Sequence, residues 1–297
     1  MFLTNATSHR ASTLLVSSVG TIATILAVMA IAALIEVVIP LRKRNRWNAS
    51  HTGPNLTLTF ITFATNIFFN LAVVLGLAWL QAQQLGFLNV VPFPPALNTV
   101  IVVLVLDFAF YVAHVAMHMV PPFWRVHIVH HSDPAVDVTT TIRQHPLEGI
   151  IRYAFIVVAA FPLGASPPAF AIYRSASALN ALVEHANIGI PQWLDTSLSW
   201  ITTWPNVHKI HHSRDRRFTD TNYGNLFSIW DRLFGTFTPS RLGADIDYGL
   251  SGADDPKVQT ARALLAAPFR KAARTSGAAA SVERKLTFGE TGNAEEA

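Results

Sequence analysis

The sequence of 297 residues contains no cysteine, and only 13% of its residues are charged. The missing cysteine excludes disulfide bridges, thiolate-bound zinc or iron–sulfur clusters, c-type haem attachment and a cysteine nucleophile. The charged fraction is about half that of an ordinary soluble domain, whereas 51% of the residues are hydrophobic. The composition therefore favours a membrane protein over a water-soluble globule.

Long apolar stretches predict several membrane-spanning helices. Crossing the bilayer core takes about 20 apolar residues, and this length is available in Leu14–Pro40, Leu56–Leu80 and Ala96–Met119. A further apolar stretch, Tyr153–Leu182, is interrupted by prolines and a glycine, which predicts a re-entrant or hairpin span at about residues 150–184. We therefore expect an all-α, multi-pass transmembrane bundle.

A cluster of basic residues indicates how this bundle is oriented. Arg42, Lys43, Arg44 and Arg46 follow the first apolar stretch, and basic residues next to a span typically mark its cytosolic side. From there the second span leads out of the cytosol and the third leads back. The region after Met119 is therefore expected at the cytosolic face. Because these residues act as an orientation signal and form no patch on a soluble fold, the net charge of +4 does not predict nucleic-acid binding.

The chain divides by composition into three regions. Residues 1–106 carry the first membrane spans, and residues 107–240 carry most of the histidines. In residues 241–297, the segment Val258–Arg274 interleaves apolar and basic residues and predicts a surface helix, either amphipathic at the membrane or packed on the protein. The last twenty or so residues, rich in Ala, Gly, Ser and Glu, are expected to be disordered.

Histidine is concentrated in the middle of the chain. Ten of the twelve histidines form an H-x3-H pair, two H-x-x-H-H motifs and two single positions: His114, His118, His127, His130, His131, His145, His185, His208, His211 and His212. Residues 126–132 and 207–213 agree at five of seven positions, which indicates two equivalent halves of one site. Helical spacing of four places His114 and His118 on one face, and spacing of three does the same for His127 with His130.

This concentration predicts a metal centre with two ions. Neutral imidazole is the commonest protein metal ligand and suits iron, zinc and copper. Since one ion takes four to six ligands, eight to ten histidines indicate a pair of ions. The isolated His9 and His51 are instead expected to be ordinary hydrogen-bonded histidines.

Polar residues close to the histidines are candidates for orienting them. A metal-bound imidazole usually donates its second N–H to a carboxylate or a carbonyl. Asp107 is the strongest candidate, because an acid inside an apolar span needs a partner. Asp133 and Asp215 have the alternative role of capping turns. The full set of candidates is Asp107, Asp133, Glu148, Glu184, Asp215, Asp220, Asn222 and Asp231.

These motifs resemble those of the fatty acid hydroxylase/sterol desaturase superfamily of integral-membrane di-iron enzymes. The resemblance covers about Asp107 to Phe237 and rests on Asp107–His118, Trp124–Asp133, Arg143–Glu148, Asn206–Ser213, Asp220–Gly224 and Trp230–Thr236. It implies that the eight clustered histidines bind two irons, with zinc as a substitute in a purified sample, and that residues 107–240 are the catalytic region.

The resemblance also assigns the single histidines. His185 matches the lone histidine between the two motifs and joins the ligands. Some relatives have a pair spaced H-x3-H at this place, but here the residue four before His185 is Ala181. His145 then serves either as the tenth ligand, as a group behind the ligands or as a substrate contact.

Family similarity implies O2-dependent hydroxylation or desaturation of a membrane lipid, which is sterol-like, a fatty acyl chain or an ether lipid. The chain has no G-x-G-x-x-G nucleotide motif and no fused cytochrome b5 haem motif. We therefore expect a separate electron donor: a ferredoxin, a cytochrome b5-like protein or a reduced pterin.

Two other functions compete with this interpretation. A histidine-lined metal transporter would place its ionisable residues near the membrane midplane, whereas most of these histidines lie outside the apolar stretches. A zinc hydrolase typically carries H-E-x-x-H, which the sequence lacks.

Overall fold

The computed structural model describes residues 2–42, 49–91, 93–242 and 246–270. Within these ranges the regular structure is helical, with three isolated β-bridges and no strand. The α-helices are α1 (Phe2–Val38), α2 (Ala49–Ala82), α3 (Phe87–Val90), α4 (Pro95–Met119), α5 (Pro121–His131), α6 (Pro146–Leu163), α7 (Pro167–His185), α8 (Gln192–Leu198), α9 (Pro205–His211), α10 (Arg216–Thr219), α11 (Ile229–Leu233) and α12 (Ala261–Ala266).

Four stretches of helix are long and apolar enough to cross a membrane. They are Gly20–Val38 in α1, His51–Val90 in α2 and α3, Pro95–Met119 in α4 and Pro146–Leu163 in α6. The second stretch is longer than the predicted Leu56–Leu80, because α2 already begins at Ala49 and so extends beyond the apolar segment. Four such helices indicate an integral membrane protein.

Proline determines where several of these helices begin. The chain has Pro at the start of α4, α5, α6, α7 and α9. Proline is favoured at the first helical position, because its φ angle is already helical and the N–H it lacks would have no partner there. The starts of the histidine-bearing helices are thus encoded locally in the sequence.

A tight turn joins α6 to α7 at the end of the molecule remote from the histidines. Gly164 ends α6 with φ +70°, a left-handed conformation that glycine adopts without strain. Gly86 packs directly on this turn, and a Cβ atom on Gly86 would collide with the Gly164 Cα atom. The two glycines therefore allow the loop before α3 to approach the α6–α7 turn closely.

The main apolar core lies between α2, α4, α6 and α7. Leu77, Leu106, Ile156 and Phe170, one from each helix, are fully or almost fully buried. Other apolar side chains on these helices face outward, and Val158 remains 74% exposed. An apolar interior together with an apolar exterior is the pattern expected for helices surrounded by lipid.

The C-terminal region differs from the predicted surface helix Val258–Arg274. The helix α12 covers only Ala261–Ala266, followed by a 3₁₀ turn at Ala267–Phe269. Ala263 and Leu264 are buried, and Leu264 belongs to a small core with Leu58 and Val129. This is a short packed helix. The last twenty or so residues, which are expected to be disordered, and the basic Lys43, Arg44 and Arg46 lie outside the described residues.

Candidate metal centre

Nine buried histidines converge into two compact groups. In each group, one nitrogen from every ring lies within 4.8 Å of the nitrogens of the others. We call them group one and group two. Group one is His114, His118, His127, His131 and His211; group two is His130, His185, His208 and His212.

The two groups lie side by side and share both H-x-x-H-H motifs. Helix α5 gives His127 and His131 to group one and His130 to group two. The segment around α9 does the converse, since His211 belongs to group one and His208 and His212 to group two. This exchange explains the similarity of the two motifs, because each supplies two histidines to one group and one to the other.

The grouping of the histidines follows spacing of four residues within each motif. His127 and His130, three residues apart, have neighbouring rings but belong to different groups, and His127 is grouped with His131, four residues away. In the second motif His208 likewise shares a group with His212 and not with His211. Both three- and four-residue spacings bring side chains near one another on a helix, so spacing alone did not distinguish these pairs.

Backbone carbonyls fix the orientation of three imidazoles. The Nδ1 atoms of His114, His185 and His211 lie 2.8 Å from the carbonyl oxygens of Tyr223, Ala181 and Thr221, respectively. A carbonyl only accepts, so each Nδ1 carries the hydrogen and donates it. The neutral ring then presents a free lone pair at Nε2, the atom available to bind a metal.

Carboxylates lie next to two further rings of group one. The Nδ1 atom of His127 lies 3.1 Å from Glu148 Oε2, and the Nδ1 atom of His118 lies 3.3 Å from Asp220 Oδ1. Glu148 lies in the first turn of α6 and is fully buried, so its contact with His127 connects the start of that helix to α5. Both contacts follow the arrangement usual behind metal-bound histidines.

All five Nε2 atoms of group one are buried and have no hydrogen-bond partner among the described residues. A buried polar atom without a partner costs free energy, and here five such atoms face one another. A bound cation would satisfy all five lone pairs at once. The arrangement of the donor atoms thus fits a metal ion.

Group two shows the same fit through its nitrogen distances. The Nε2 atom of His185 lies 3.1 Å from those of His130 and His208, and the Nε2 atoms of His208 and His212 are 3.2 Å apart. Nitrogens bound at about 2.0–2.1 Å to one tetrahedral or octahedral ion are separated by roughly 2.9–3.4 Å. These distances match the edges of such a coordination shell.

Burial keeps the imidazoles outside the membrane spans uncharged at neutral pH. It lowers the pKa of His185 and of His211 to about 3. The pKa values of His130, His131, His208 and His212 also fall well below 6.5, through burial and then through repulsion from neighbouring imidazoles. Neutral imidazole is the form that binds metals, so the ligands need no deprotonation at pH 7.

Asp107 does not contact a histidine. Its carboxylate accepts hydrogen bonds from the backbone N–H groups of Leu226 and Phe227 and from Trp230 Nε1, at 3.1, 3.2 and 2.9 Å. Asp107 therefore has hydrogen-bond donors, as expected for an acid inside a span, but these donors belong to the loop and helix start at residues 226–230 and not to a histidine. Asp107 fixes this loop to α4.

Asp231 and Asn222 act on the histidines through the backbone. Asp231 accepts from the N–H groups of Tyr223 and Gly224, both at 2.8 Å, and the Tyr223 carbonyl is the partner of His114. The Asn222 amide donates to the carbonyl of Val207, next to His208, at 2.8 Å. Both residues thus hold the segments that position the rings.

The remaining candidate carboxylates have different roles. Asp133 accepts from Asn55 Nδ2 and Thr140 Oγ1, both at 2.8 Å, and lies 3.2 Å from His51. Asp215 caps α10 and pairs with Arg217, the capping role that the sequence left open. Glu184 lies beside group two, with Oε1 3.8 Å from His185 Nδ1 and 4.0 Å from His208 Nε2.

His145 lies outside both groups. Its Nε2 atom is 3.1 Å from the carbonyl oxygen of Leu265, and its Nδ1 atom accepts from the backbone N–H of Leu147 at 3.2 Å. The second contact caps the start of α6. Both ring nitrogens therefore have partners within the protein.

Arg143 is a structural residue of this region that the sequence did not single out. It is fully buried and donates to the Val129 carbonyl, Asn55 Oδ1, Ser132 Oγ and Gln259 Oε1, at 2.6–2.9 Å. Val129 and Ser132 flank His130 and His131, so one guanidinium fixes the end of α5. A buried cation bonded to neutral acceptors leaves little trace in the sequence.

A cavity of about 400 Å³ opens beside the histidines. His114, His130, His185 and His208 line one end of it. From there it extends between α1, α2, α6 and α7 along largely apolar walls that include Phe63, Val74 and Phe170. The site therefore combines nitrogen ligands with a space suited to a hydrocarbon chain.

Comparison with known proteins identifies relatives of this site. A family model described as fatty acid hydroxylase matches residues 99–236. This range contains all nine grouped histidines.

Individual relatives are hydroxylases and monooxygenases. The ornithine lipid hydroxylase OlsE of Rhizobium tropici is 31% identical over 182 residues, 61% of this chain and 53% of the relative. The alkylglycerol monooxygenase of Caenorhabditis elegans is 32% identical over 148 residues, 48% of this chain and 28% of the relative. The fatty acid hydroxylase vlmA of Lecanicillium sp is 29% identical over 145 residues, covering 45% and 40%.

The chain thus spans about half the length of the first of these relatives and less than that of the other two. No solved structure matches it.

Proposed function

We propose that the protein is an O2-dependent hydroxylase of a membrane lipid, because residues 99–236 match the fatty acid hydroxylase family model. One observation carries the proposal: two adjacent groups of buried histidines lie at the end of a largely apolar cavity. The relatives support hydroxylation as the outcome, since their names describe hydroxylases and a monooxygenase.

The proposed cofactor is a pair of iron ions, one held by each histidine group. Bound iron supplies the activation of O2 needed to attack an unactivated C–H bond, which no amino-acid side chain can attack unaided. The protein's part is to hold neutral imidazoles at fixed positions. The Tyr223, Thr221 and Ala181 carbonyls do this by accepting the Nδ1 hydrogens.

In the proposed ligand set His145 is left out and the other nine histidines are kept. Both nitrogens of His145 have partners within the protein, whereas the Nε2 atoms of group one have none among the described residues. We assign Glu148 and Asp220 to orient His127 and His118, and Asp231 and Asn222 to hold the backbone behind the rings.

The net reaction replaces a C–H bond of the lipid with a C–OH bond. One oxygen atom of O2 enters the lipid and the other leaves as water, which consumes two electrons and two protons. A separate donor supplies the electrons: a ferredoxin, a cytochrome b5-like protein or a reduced pterin. The cavity receives the lipid from the bilayer and keeps water away from the reacting carbon.

The proposed location of the metal centre is the cytosolic face of the membrane. The basic residues after α1 support this side, since positive residues concentrate on cytosolic loops. A lipid in the cytosolic leaflet would then enter the cavity without crossing water.

A metal transporter lacks comparable support. The histidines close into two compact buried groups, whereas a transporter holds its ion near the membrane midplane in a site that can open to either side. The relatives described above are enzymes.

The test is isotopic. The purified protein is reconstituted with iron in nanodiscs that contain total membrane lipid of the expression host, and is reduced under ¹⁸O2. We expect one ¹⁸O atom in a hydroxylated lipid by mass spectrometry, and none with His130→Ala or His211→Ala. Absence of labelled lipid with fully iron-loaded wild-type protein, under each of the three classes of donor, would refute the proposal.

A further inference from the structure

The cavity is not uniformly apolar along its length. Besides apolar residues its walls include Asn66 and Asn70 from α2, Arg152 from α6 and Arg174 from α7. Three atoms of this set, Asn66 Oδ1, Arg152 Nε and Arg174 Nε, are buried without a hydrogen-bond partner among the described residues. Unsatisfied polar groups inside an apolar helical bundle are costly and are a reason to look for a polar ligand.

Tyr153 contacts two of these residues. The Arg174 guanidinium lies over the Tyr153 ring, 5.3 Å from its centroid. The Tyr153 hydroxyl donates to the backbone carbonyl of Asn66 at 3.4 Å. The side chain of Asn70 projects one helical turn further along the same face of α2. The Arg174 guanidinium and the Asn66 backbone therefore both contact Tyr153, and Asn66, Asn70 and Arg174 all line the same cavity.

The two arginines differ in charge compensation. Arg152 forms an ion pair with Glu148 at 3.0 Å. For Arg174, no carboxylate lies within ion-pair distance among the described residues, and its recorded contact is the stacking on Tyr153. Arg174 thus leaves one uncompensated positive charge at the cavity, with planar N–H donors that match carboxylate and phosphate groups.

We propose that Arg174, with the amides of Asn66 and Asn70, binds an anionic group of the lipid substrate, a carboxylate or a phosphate. The inference rests on the proposed function for the identity of the ligand as a substrate. To that function the inference adds that the substrate is an anionic lipid and that its anionic group is bound at Arg174.

The position of Arg174 also orients the bound lipid. Eleven residues of α7 separate it from His185, a rise of about 16 Å along the helix. Tyr153 lies seven residues into α6, between the α6–α7 turn and the end of α6 next to the histidines. A lipid whose anion meets Arg174 therefore has room to lay its hydrocarbon chain along the cavity toward His130 and His185.

Binding to metal-free protein tests this site without requiring turnover. The full chain in nanodiscs of neutral lipid is titrated with two matched pairs of probes: palmitate against methyl palmitate, and dioleoylphosphatidate against dioleoylglycerol. Native mass spectrometry counts the bound probe. The variants are Arg174→Gln, Arg174→Lys and Asn70→Leu, with Arg262→Gln on the exposed face of α12 as the matched control.

We expect wild-type protein to prefer the anionic member of at least one pair by about tenfold to a hundredfold, the range of a charge-assisted hydrogen-bonded pair. The pair that shows the preference distinguishes a carboxylate from a phosphate. Arg174→Gln should abolish the preference, Arg174→Lys should keep part of it, Asn70→Leu should weaken it, and Arg262→Gln should leave it unchanged.

Equal binding of charged and neutral probes by wild-type protein would overturn the inference, and so would an unchanged preference in folded Arg174→Gln. If Arg174→Gln does not fold, the wild-type comparison and Asn70→Leu still decide. If the ¹⁸O experiment gives no labelled lipid but the preference for anionic probes depends on Arg174, the hydroxylase function is refuted and the anionic-lipid site stands. If labelled lipid forms but wild-type protein shows no preference for anionic probes, the hydroxylase function stands and the anionic-lipid site is refuted.

Discussion

Asp231 offers a sharp test of how the protein positions His114, a proposed metal ligand, through the backbone and without contacting its ring. Its carboxylate accepts from the backbone N–H groups of Tyr223 and Gly224 at 2.8 Å and from Thr236 Oγ1 at 2.7 Å. The Tyr223 carbonyl in turn accepts from His114 Nδ1. Asp231→Asn preserves the shape of the side chain but replaces one acceptor oxygen with a donor NH2 group, which would face one of these donors.

The size of the effect follows from the hydrogen bonds that are lost. Leaving one buried donor without a partner costs about 1–3 kcal/mol. Movement of the Tyr223–Gly224 turn relieves part of this cost, but it also displaces the Tyr223 carbonyl that accepts from His114. Changes behind metal ligands typically reduce metal affinity by about 10- to 100-fold. We therefore expect a loss of this size for the ion at group one, and no change at group two, which contains no His114.

The assay is a two-site metal titration of metal-free protein against a chelator of known affinity. Asp107→Asn is the matched control, because Asp107 also accepts from two backbone N–H groups, but those of Leu226 and Phe227, which bond no histidine. Asp107→Asn should lower thermal stability and retain both affinities. Wild-type affinity in Asp231→Asn, or an equal loss of metal in Asp107→Asn, would refute the reasoning.

Three further predictions use other parts of the structure. Metal-free protein should lose stability as the pH falls from about 6.5 toward 3 in thermal unfolding, because the unfolded histidines protonate first while burial holds His185 and His211 at a pKa of about 3; a flat profile would contradict this. His145→Gln should retain both metals by elemental analysis, because His145 lies outside both groups. It should lose about 1 kcal/mol of unfolding free energy, because the residue caps α6. Loss of one metal in this variant would show that His145 is a ligand. Ala178→Phe, which fills part of the cavity, should reduce lipid turnover at least tenfold with metal content unchanged; full turnover would place the substrate elsewhere.

Much of the fold was readable because its signals are local. Apolar length predicts the spans, and proline marks the starts of α4, α5, α6, α7 and α9. The interruption around Gly164 predicts a break, and the structure places a left-handed glycine there. The bounds were less accurate, because a helix can continue past its apolar segment, as α2 does at Ala49.

The candidate site was only partly readable. Repeated H-x-x-H-H motifs indicate ligands, but the division of each motif between two groups depends on how α4, α5, α7 and α9 pack. The partners of His114, His185 and His211 are backbone carbonyls, which every residue possesses and no sequence pattern marks. A buried acid such as Asp107 needs hydrogen-bond donors, and this made it a candidate partner for a histidine. The sequence does not specify which donors it meets, and in the structure they belong to a loop.

The most direct test of the account is the metal content and coordination of the intact protein. Protein expressed with iron supplementation and purified in nanodiscs is analysed by elemental mass spectrometry and X-ray absorption, alongside His131→Ala in group one and His212→Ala in group two. The account predicts two ions per chain in a nitrogen-rich shell, with each variant weakening a different one of them. A single ion per wild-type chain, or loss of the same ion in both variants, would contradict it.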